Sequence, residues 1–207
     1  MRAVSAVLIV LVAPVTVGAQ QGSASYFVDT QQSKMEIHVG KEGAFKAFGH
    51  DHLIAAKQIS GDAKFDPQKP DQSSVRLKIP TKSVTVVDPS ESEKDRKEVQ
   101  STMEGEKVLD VAKFPAITFT STGVSAAKKT PDGWELTLAG KLNLHGVEKP
   151  VTFPLRLSAN ANELHGQGEL SILQTDYGIT PVKVGGGAVK VKDKLKITFN
   201  IVAAKNH

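Results

Sequence analysis

The stretch Trp134-Glu135-Leu136-Thr137-Leu138-Ala139-Gly140-Lys141-Leu142-Asn143-Leu144 decides the fold class. In an extended chain Trp134, Leu136, Leu138, Leu142 and Leu144 fall on one face, and Glu135, Thr137, Lys141 and Asn143 on the other. A period of two marks a strand with one buried face. Outward along the chain the pattern recurs at Val151, Phe153, Leu155 and Leu157, and again at Leu195, Ile197, Phe199 and Ile201. Shorter runs are Met35-Ile37-Val39, Val75-Leu77-Ile79, Ile117-Phe119 and Leu164-Gly166-Gly168-Leu170-Ile172. Pro131-Asp132-Gly133, His145-Gly146 and Asn160-Ala161-Asn162 supply turns between them. Many strands, short polar turns and one apolar face each predict an all-β antiparallel sandwich or closed barrel.

One segment breaks the rhythm. Asp88-Pro89-Ser90-Glu91 reads as a capping side chain, a first-turn proline and an acid three residues on. The polar stretch that follows, to about Gly105, carries Val99 and Met103 at i, i+4 and predicts one inserted, mostly exposed amphipathic helix. Its acids Glu91, Glu93, Asp95, Glu98, Glu104 and Glu106 stand among lysines, as on a solvated face with i, i+4 pairing.

At the N-terminus, Arg2, the apolar run Ala3 to Ala13 and the slender residues before Ala19 have the order of a secretory signal peptide cleaved after Ala19. The run is shorter than the ~20 residues of a membrane-spanning helix. Cleavage leaves 188 of 207 residues, enough for one domain with its own core. No later segment is long and apolar enough to span a bilayer. The chain has no cysteine, which excludes disulfides, thiolate catalysis and cysteine-held metals. A net charge of +4, with lysines scattered rather than striped, excludes a nucleic-acid groove. The expected location is the periplasm of a Gram-negative bacterium, or secretion beyond it.

Several segments resemble the YceI-like family. Leu142-Asn143-Leu144-His145-Gly146-Val147-Glu148-Lys149-Pro150-Val151 is similar to its L-x-L-x-G-V-x-K-P-V segment. Phe114-Pro115-Ala116-Ile117-Thr118-Phe119-Thr120-Ser121 resembles F-P-x-I-x-F-x-S, and Asp176-Tyr177-Gly178-Ile179 resembles D-F-G-I. Gly61 to Asp66 matches G-x-x-x-F-D, so the likeness runs from Tyr26 to Ala203. It implies an extended eight-stranded, lipocalin-like antiparallel barrel with one helix, and a non-catalytic periplasmic carrier. The ligand it implies is an amphiphilic lipid, such as an isoprenoid or isoprenoid quinone, inside the barrel. The expected lumen lining is Phe119, Leu136, Leu138, Leu142, Phe153, Leu155, Ile197 and Phe199. Three places depart from the family pattern: Gln174 replaces a basic residue, Asp95-Arg96-Lys97-Glu98 lacks a histidine, and Phe48-Gly49-His50-Asp51-His52 is histidine-rich.

His50 and His52 share a face if their segment is extended, about 6–7 Å apart. The expected role is a rim of Lys46, His50, Asp51 and His52 that meets a ligand headgroup. The alternative is a metal- or redox-cofactor-binding protein using His50 and His52, with a third ligand from His38, His145, His165 or an acid. No metal or other cofactor is expected on the first reading. A third possibility is an interaction module whose barrel is filled by side chains. Gly185-Gly186-Gly187 lacks the Lys-Ser/Thr and helix of a phosphate loop and reads as a turn or bulge. No G-x-S-x-G, H-E-x-x-H or other nucleophile motif is present, and no acid pair is set for acid–base work.

Overall fold

The structure is a computed structural model, and it describes residues 22–42 and 51–205. The alternating segments form strands β1 (Ala24–Val28), β2 (Lys34–Glu42), β3 (His52–Ala56), β4 (Ser60–Phe65), β5 (Ser74–Pro80) and β6 (Val84–Val86). After helix α1 (Glu93–Glu104) come β7 (Ala116–Thr130), β8 (Gly133–Leu144), β9 (Val147–Ala159), β10 (Glu163–Leu173), β11 (Lys183–Val184) and β12 (Val189–Lys205). All pairings are antiparallel. The ladder runs β1-β4-β5-β7-β8-β9-β10-β12 and closes through β12 on β1, which makes the expected eight-stranded barrel.

Strands outnumber staves because the first three staves are each broken in the middle. β1 and β2 lie end to end along one edge of β12, Val28 opposite Ala203 and Lys34 opposite Asn200. β3 with β4, and β5 with β6, continue in the same way. The breaks stay hydrogen-bonded, as buried backbone must. Ser33 Oγ bridges both backbone groups of Val202 (3.1 and 3.2 Å), Thr30 donates to the Ile59 carbonyl (2.7 Å), and the Lys57 amide donates to the Ser83 carbonyl (2.9 Å).

The inward sets are the ones the alternation picks out. The apolar residues of Leu136 to Leu144, Val151 to Leu157, Leu195 to Ile201 and the shorter runs all border the interior. Two glycines make room for large rings there. A Cβ on Gly140 would stand 2.4 Å from the Phe119 ring, and one on Gly168 would stand 2.8 Å from the Phe199 ring. Phe119, Phe153 and Phe199 then meet across the barrel, with centroids 5.7 and 5.6 Å apart in tilted and edge-to-face arrangements.

The motifs that carry the family likeness converge at the α1 end. His145 (φ +52) and Gly146 (φ +75) form the two-residue turn between β8 and β9, the left-handed pair that matches strand twist. The Phe114 ring covers Gly146 and stacks edge-on against His145, centroids 4.6 Å apart. His145 in turn donates from Nδ1 to the Tyr177 carbonyl (3.2 Å). Tyr177 and Ile179 are almost fully buried beneath. These three segments therefore build the floor of the barrel. Gly185–Gly187 forms a tight turn before β12, with Gly186 and Gly187 at φ +68 and +95, in keeping with its sequence reading.

Helix α1 differs from its sequence reading at its start but is mostly exposed, as that reading expects. Its cap is Ser92, whose hydroxyl accepts from the Asp95 amide (3.1 Å) and donates to the Asp95 carboxylate (2.7 Å). Asp88 instead takes the Ser90 amide and hydroxyl (2.9 and 2.6 Å), a local turn that keeps the chain out of the helix. Met103 is buried, and with Val99 it faces the barrel interior. β6 pairs with β3 alone, so its other edge lacks a strand. Gln100 fills that edge: its side chain accepts from the Val86 amide (2.9 Å) and donates to the Val84 carbonyl (3.0 Å). An amide side chain here does the work of a neighbouring strand.

Candidate ligand-binding site

A cavity of about 540 Å³ runs inside the barrel. Its wall takes side chains from β2 to β5, from β7 to β10, from β12 and from α1. All eight residues expected to line the lumen border it: Phe119, Leu136, Leu138, Leu142, Phe153, Leu155, Ile197 and Phe199. The volume falls within the roughly 300–1,000 Å³ of small-molecule sites. The barrel is therefore hollow, not filled by side chains, and the size of its lumen follows from eight staves.

The polar groups on this wall are a minority. Away from α1 they include Lys64, Ser73 and Ser74; toward α1 they include Lys41, His52, Glu91, Asp95, Glu98, Gln174 and Lys190. Gln174 is buried, and its amide donates to the Lys192 carbonyl (2.8 Å), which ties the turn after β10 to β12. His52 opens β3 and points inward, and its Nδ1 is hydrogen-bonded to Glu91 Oε1. The Glu91 side chain is only 2 % exposed and that of His52 21 %. Glu91 Oε2 is buried and has no hydrogen-bond partner among the described residues.

The Glu91 loop is held from behind. Arg96 donates from Nη1 to the Glu91 carbonyl (2.6 Å) and the Asp88 carbonyl (3.2 Å). The Ser90 hydroxyl and amide hold the Asp88 carboxyl below the usual aspartate range, and the Leu53 amide and the charge of His52 add to this.

Among the residues expected at the rim, Asp51 is exposed and accepts from the Lys41 amide (3.1 Å). His52 is on the cavity wall, and Lys46 and His50 lie outside the described residues, as do residues 1–19, the expected leader. Among the described residues no three histidines or acids gather in a way suited to a metal ion. Likewise no helix among them is long and apolar enough to cross a membrane.

Glu91 is the residue that sequence reasoning placed wrongly. Its sequence context groups it with the acids of a solvated helix face, and Glu93 with Lys97 does form such a pair (2.6 Å). Glu91 itself precedes the cap. The signal was the Ser92-x-x-Asp95 spacing, which starts the helix later and leaves Glu91 just outside it, where a side chain turns back against the fold.

Comparison with known proteins agrees with this geometry. The model of the YceI-like domain matches residues 26–203. Protein YceI of Salmonella newport is 35% identical over 159 residues, which cover 70% of this chain and 76% of that protein. Burkholderia cenocepacia BcnA superposes with a TM-score of 0.65 at 24% identity, covering 84% of this chain and 98% of BcnA. A polyisoprenoid binding domain from Saccharophagus degradans, implicated in plant cell wall breakdown, superposes with a TM-score of 0.63 at 15% identity, covering 88% and 99%.

Proposed function

Since this chain belongs to the YceI-like family, we propose that it is a non-catalytic carrier that holds an isoprenoid or similar amphiphilic lipid in its barrel. The observation that carries this reading is the cavity of about 540 Å³ walled mostly by aliphatic and phenyl side chains. Each methylene-sized group moved from water into such a wall gains about 0.8 kcal/mol. About ten such groups give a gross ~8 kcal/mol, the scale of micromolar affinity before ordering costs are met. The eight lining residues from Phe119 to Phe199 are the proposed contacts, and the α1 end with Asp51 and His52 receives the polar head, together with Lys46 and His50.

The periplasm is the proposed site of action, reached through the leader that ends at Ala19. A branched isoprenoid tail is poorly soluble in water, so its passage between membranes calls for an enclosed apolar carrier. The kinship with a polyisoprenoid binding domain supports that class of ligand. Polar groups are a minority on the lumen wall, which favours binding over chemistry.

Lipid extraction and mass spectrometry of the protein isolated from a bacterial periplasm test this function. A stoichiometric apolar ligand is expected. Its displacement by Leu142→Trp, which fills the lumen from β8, should leave the barrel folded by circular dichroism. If no lipid co-purifies and none binds at micromolar concentration, the carrier function is wrong.

A further inference from the structure

At several points where neighbouring strands part, a side chain bridges them. Ser33 and Thr30 hold breaks in the first staves, Gln100 fills the edge of β6, and where β5 leaves β7 the Val75 amide donates to Ser121 Oγ (2.9 Å). The seam between β9 and β10 is different. Its ladder starts at Ala159 opposite Leu164 and stops at Leu155 opposite Gly168. Beyond that point residues 147–154 pair with β8 alone, and residues 169–173 with β12 alone. Among the described residues no side-chain hydrogen bond joins residues 150–153 to residues 169–173. Pro150 and Pro154, both exposed, lack the N–H that a ladder needs.

Both lips of this seam line the cavity, Val151 and Phe153 on one side and Leu170 and Ile172 on the other. Lys149 shares the inward parity of Val151 and Phe153 yet is exposed, so the inner face of β9 meets water at the foot of the seam. Leu173, which ends the opposite lip, is 41% exposed and offers an apolar tail a first contact outside the barrel. We propose that the seam between β9 and β10 is the passage by which the lipid enters and leaves the lumen. The lips part sideways, the tail slips in along its length, and the strands close over it. This rests on the carrier reading above and adds its route of exchange.

Parting two paired strands breaks a ladder of backbone hydrogen bonds, and each group must then find another partner. Parting these lips separates apolar side chains, and an entering tail replaces their contacts with its own. The motion is bounded at both ends. Above, the ladder from Leu155 and Gly168 onward holds the strands together. Below, His145 Nδ1 donates to the Tyr177 carbonyl (3.2 Å), and with Phe114 these residues shut the end of the barrel beside the seam. The five residues 150–154 of the β9 lip span roughly 16 Å, long enough for a tail to pass broadside.

The chain has no cysteine, so thiols can be placed on the lips alone. Thr152→Cys with Ser171→Cys sets one on each lip, at exposed positions that would face each other if the ladder ran on. The probe is all-trans-retinol, a fluorescent isoprenoid alcohol, mixed with delipidated protein in stopped flow. Before linking, the double variant should match the wild-type rates of entry and release. Joining the thiols with a short, reducible bismaleimide should slow both by at least about tenfold, with affinity near its unlinked value. Reduction of the linker should restore them. The same linker across Arg156→Cys and Gln167→Cys, already opposite in the ladder, should leave both rates as they were. Streptavidin on a biotin attached to Thr152→Cys alone covers the seam from outside and should also slow entry, so the result does not depend on the link forming. Rates unchanged by both the link and the cap overturn the passage and leave the carrier function standing. Failure of retinol to bind the wild-type protein overturns both.

Discussion

Replacing Gln100 by Met removes the two hydrogen bonds that its side chain makes to the unpaired edge of β6. Met keeps the length of the side chain and a similar helix propensity, so the change isolates the polar contacts. The Val84 residue is buried and Val86 half-buried. A hydrogen bond lost where water replaces it costs about 1 kcal/mol, and one lost at a buried group about 1–3 kcal/mol. Together the expected destabilisation is about 2–4 kcal/mol. At about 2–4 °C per kcal/mol for a domain of this size, the thermal midpoint should fall by roughly 4–16 °C. Gln100→Glu keeps the acceptor for the Val86 amide but loses the donor to Val84, and it sets a carboxylate one turn before Glu104, now a hydrogen-bond partner of Gln100 at 2.7 Å. Its cost should be at least that of the lost Val84 bond, about 1–3 kcal/mol, with the repulsion from Glu104 added to it. Hydrogen exchange localises the effect: the Val86 amide should exchange faster by at least about tenfold, beyond any change in the β7–β8 ladder. A Gln100→Met protein within 0.5 kcal/mol of wild type, with unchanged exchange at Val86, would refute the idea that this side chain stands in for a strand.

Other substitutions test the packing. Gly140→Ala drives a methyl into the Phe119 ring and to 2.7 Å from the Thr120 carbonyl, and should cost about 1–3 kcal/mol in chemical denaturation. Gly123→Ala, with nothing within 4 Å of the added carbon, should stay within about 0.5 kcal/mol and serves as its control. Met103→Ala removes the buried anchor of α1 and should cost about 2 kcal/mol, the low end for such a change because the side chain already borders a cavity. In acid, hydrogen bonds hold the carboxyls of Asp29, Asp88, Glu163 and Asp193 below their ordinary values. The unfolded chain therefore takes up protons first, and the stability these groups provide is present above about pH 4–5 and lost as pH falls through their folded values. Thermal melts should show a midpoint that is level near neutrality and drops in that acid window; a midpoint that rises there would contradict the assignment.

Much of the fold was legible because a strand with one buried face announces itself residue by residue, as in Trp134 to Leu144. Closure was not, since no local pattern says that β12 pairs with β1 as well as β10. The family resemblance supplied it. The breaks in the first three staves were invisible for a related reason: what holds them, Ser33 on Val202 or Thr30 on Ile59, is contact between residues far apart in sequence. The lumen side of each strand was readable from alternation, and all eight residues named from it border the cavity. The polar end was not. His52 was visible as a histidine, but its partner was hidden in a run of acids that composition explains as surface. The Ser92-x-x-Asp95 spacing sets Glu91 before the helix, but its burial is a property of the finished barrel.

That the last long strand closes the ring has a consequence for how the chain is made. β12 pairs with β10, β2 and β1, so the first and last described strands are neighbours, Tyr26 opposite Lys205. Until β12 is in place, two open sheet edges stand unpaired and the apolar lumen faces water. Such contacts of long sequence separation form slowly, and open edges invite pairing with other chains. Folding intermediates of this protein are therefore expected to need protection late rather than early. The same neighbourhood of the ends also makes the ring a candidate for circular permutation: joining residues near 22 and 205 by a short linker and cutting at the Pro131-Asp132-Gly133 turn would keep every strand pairing while moving the closing event to the middle of the chain.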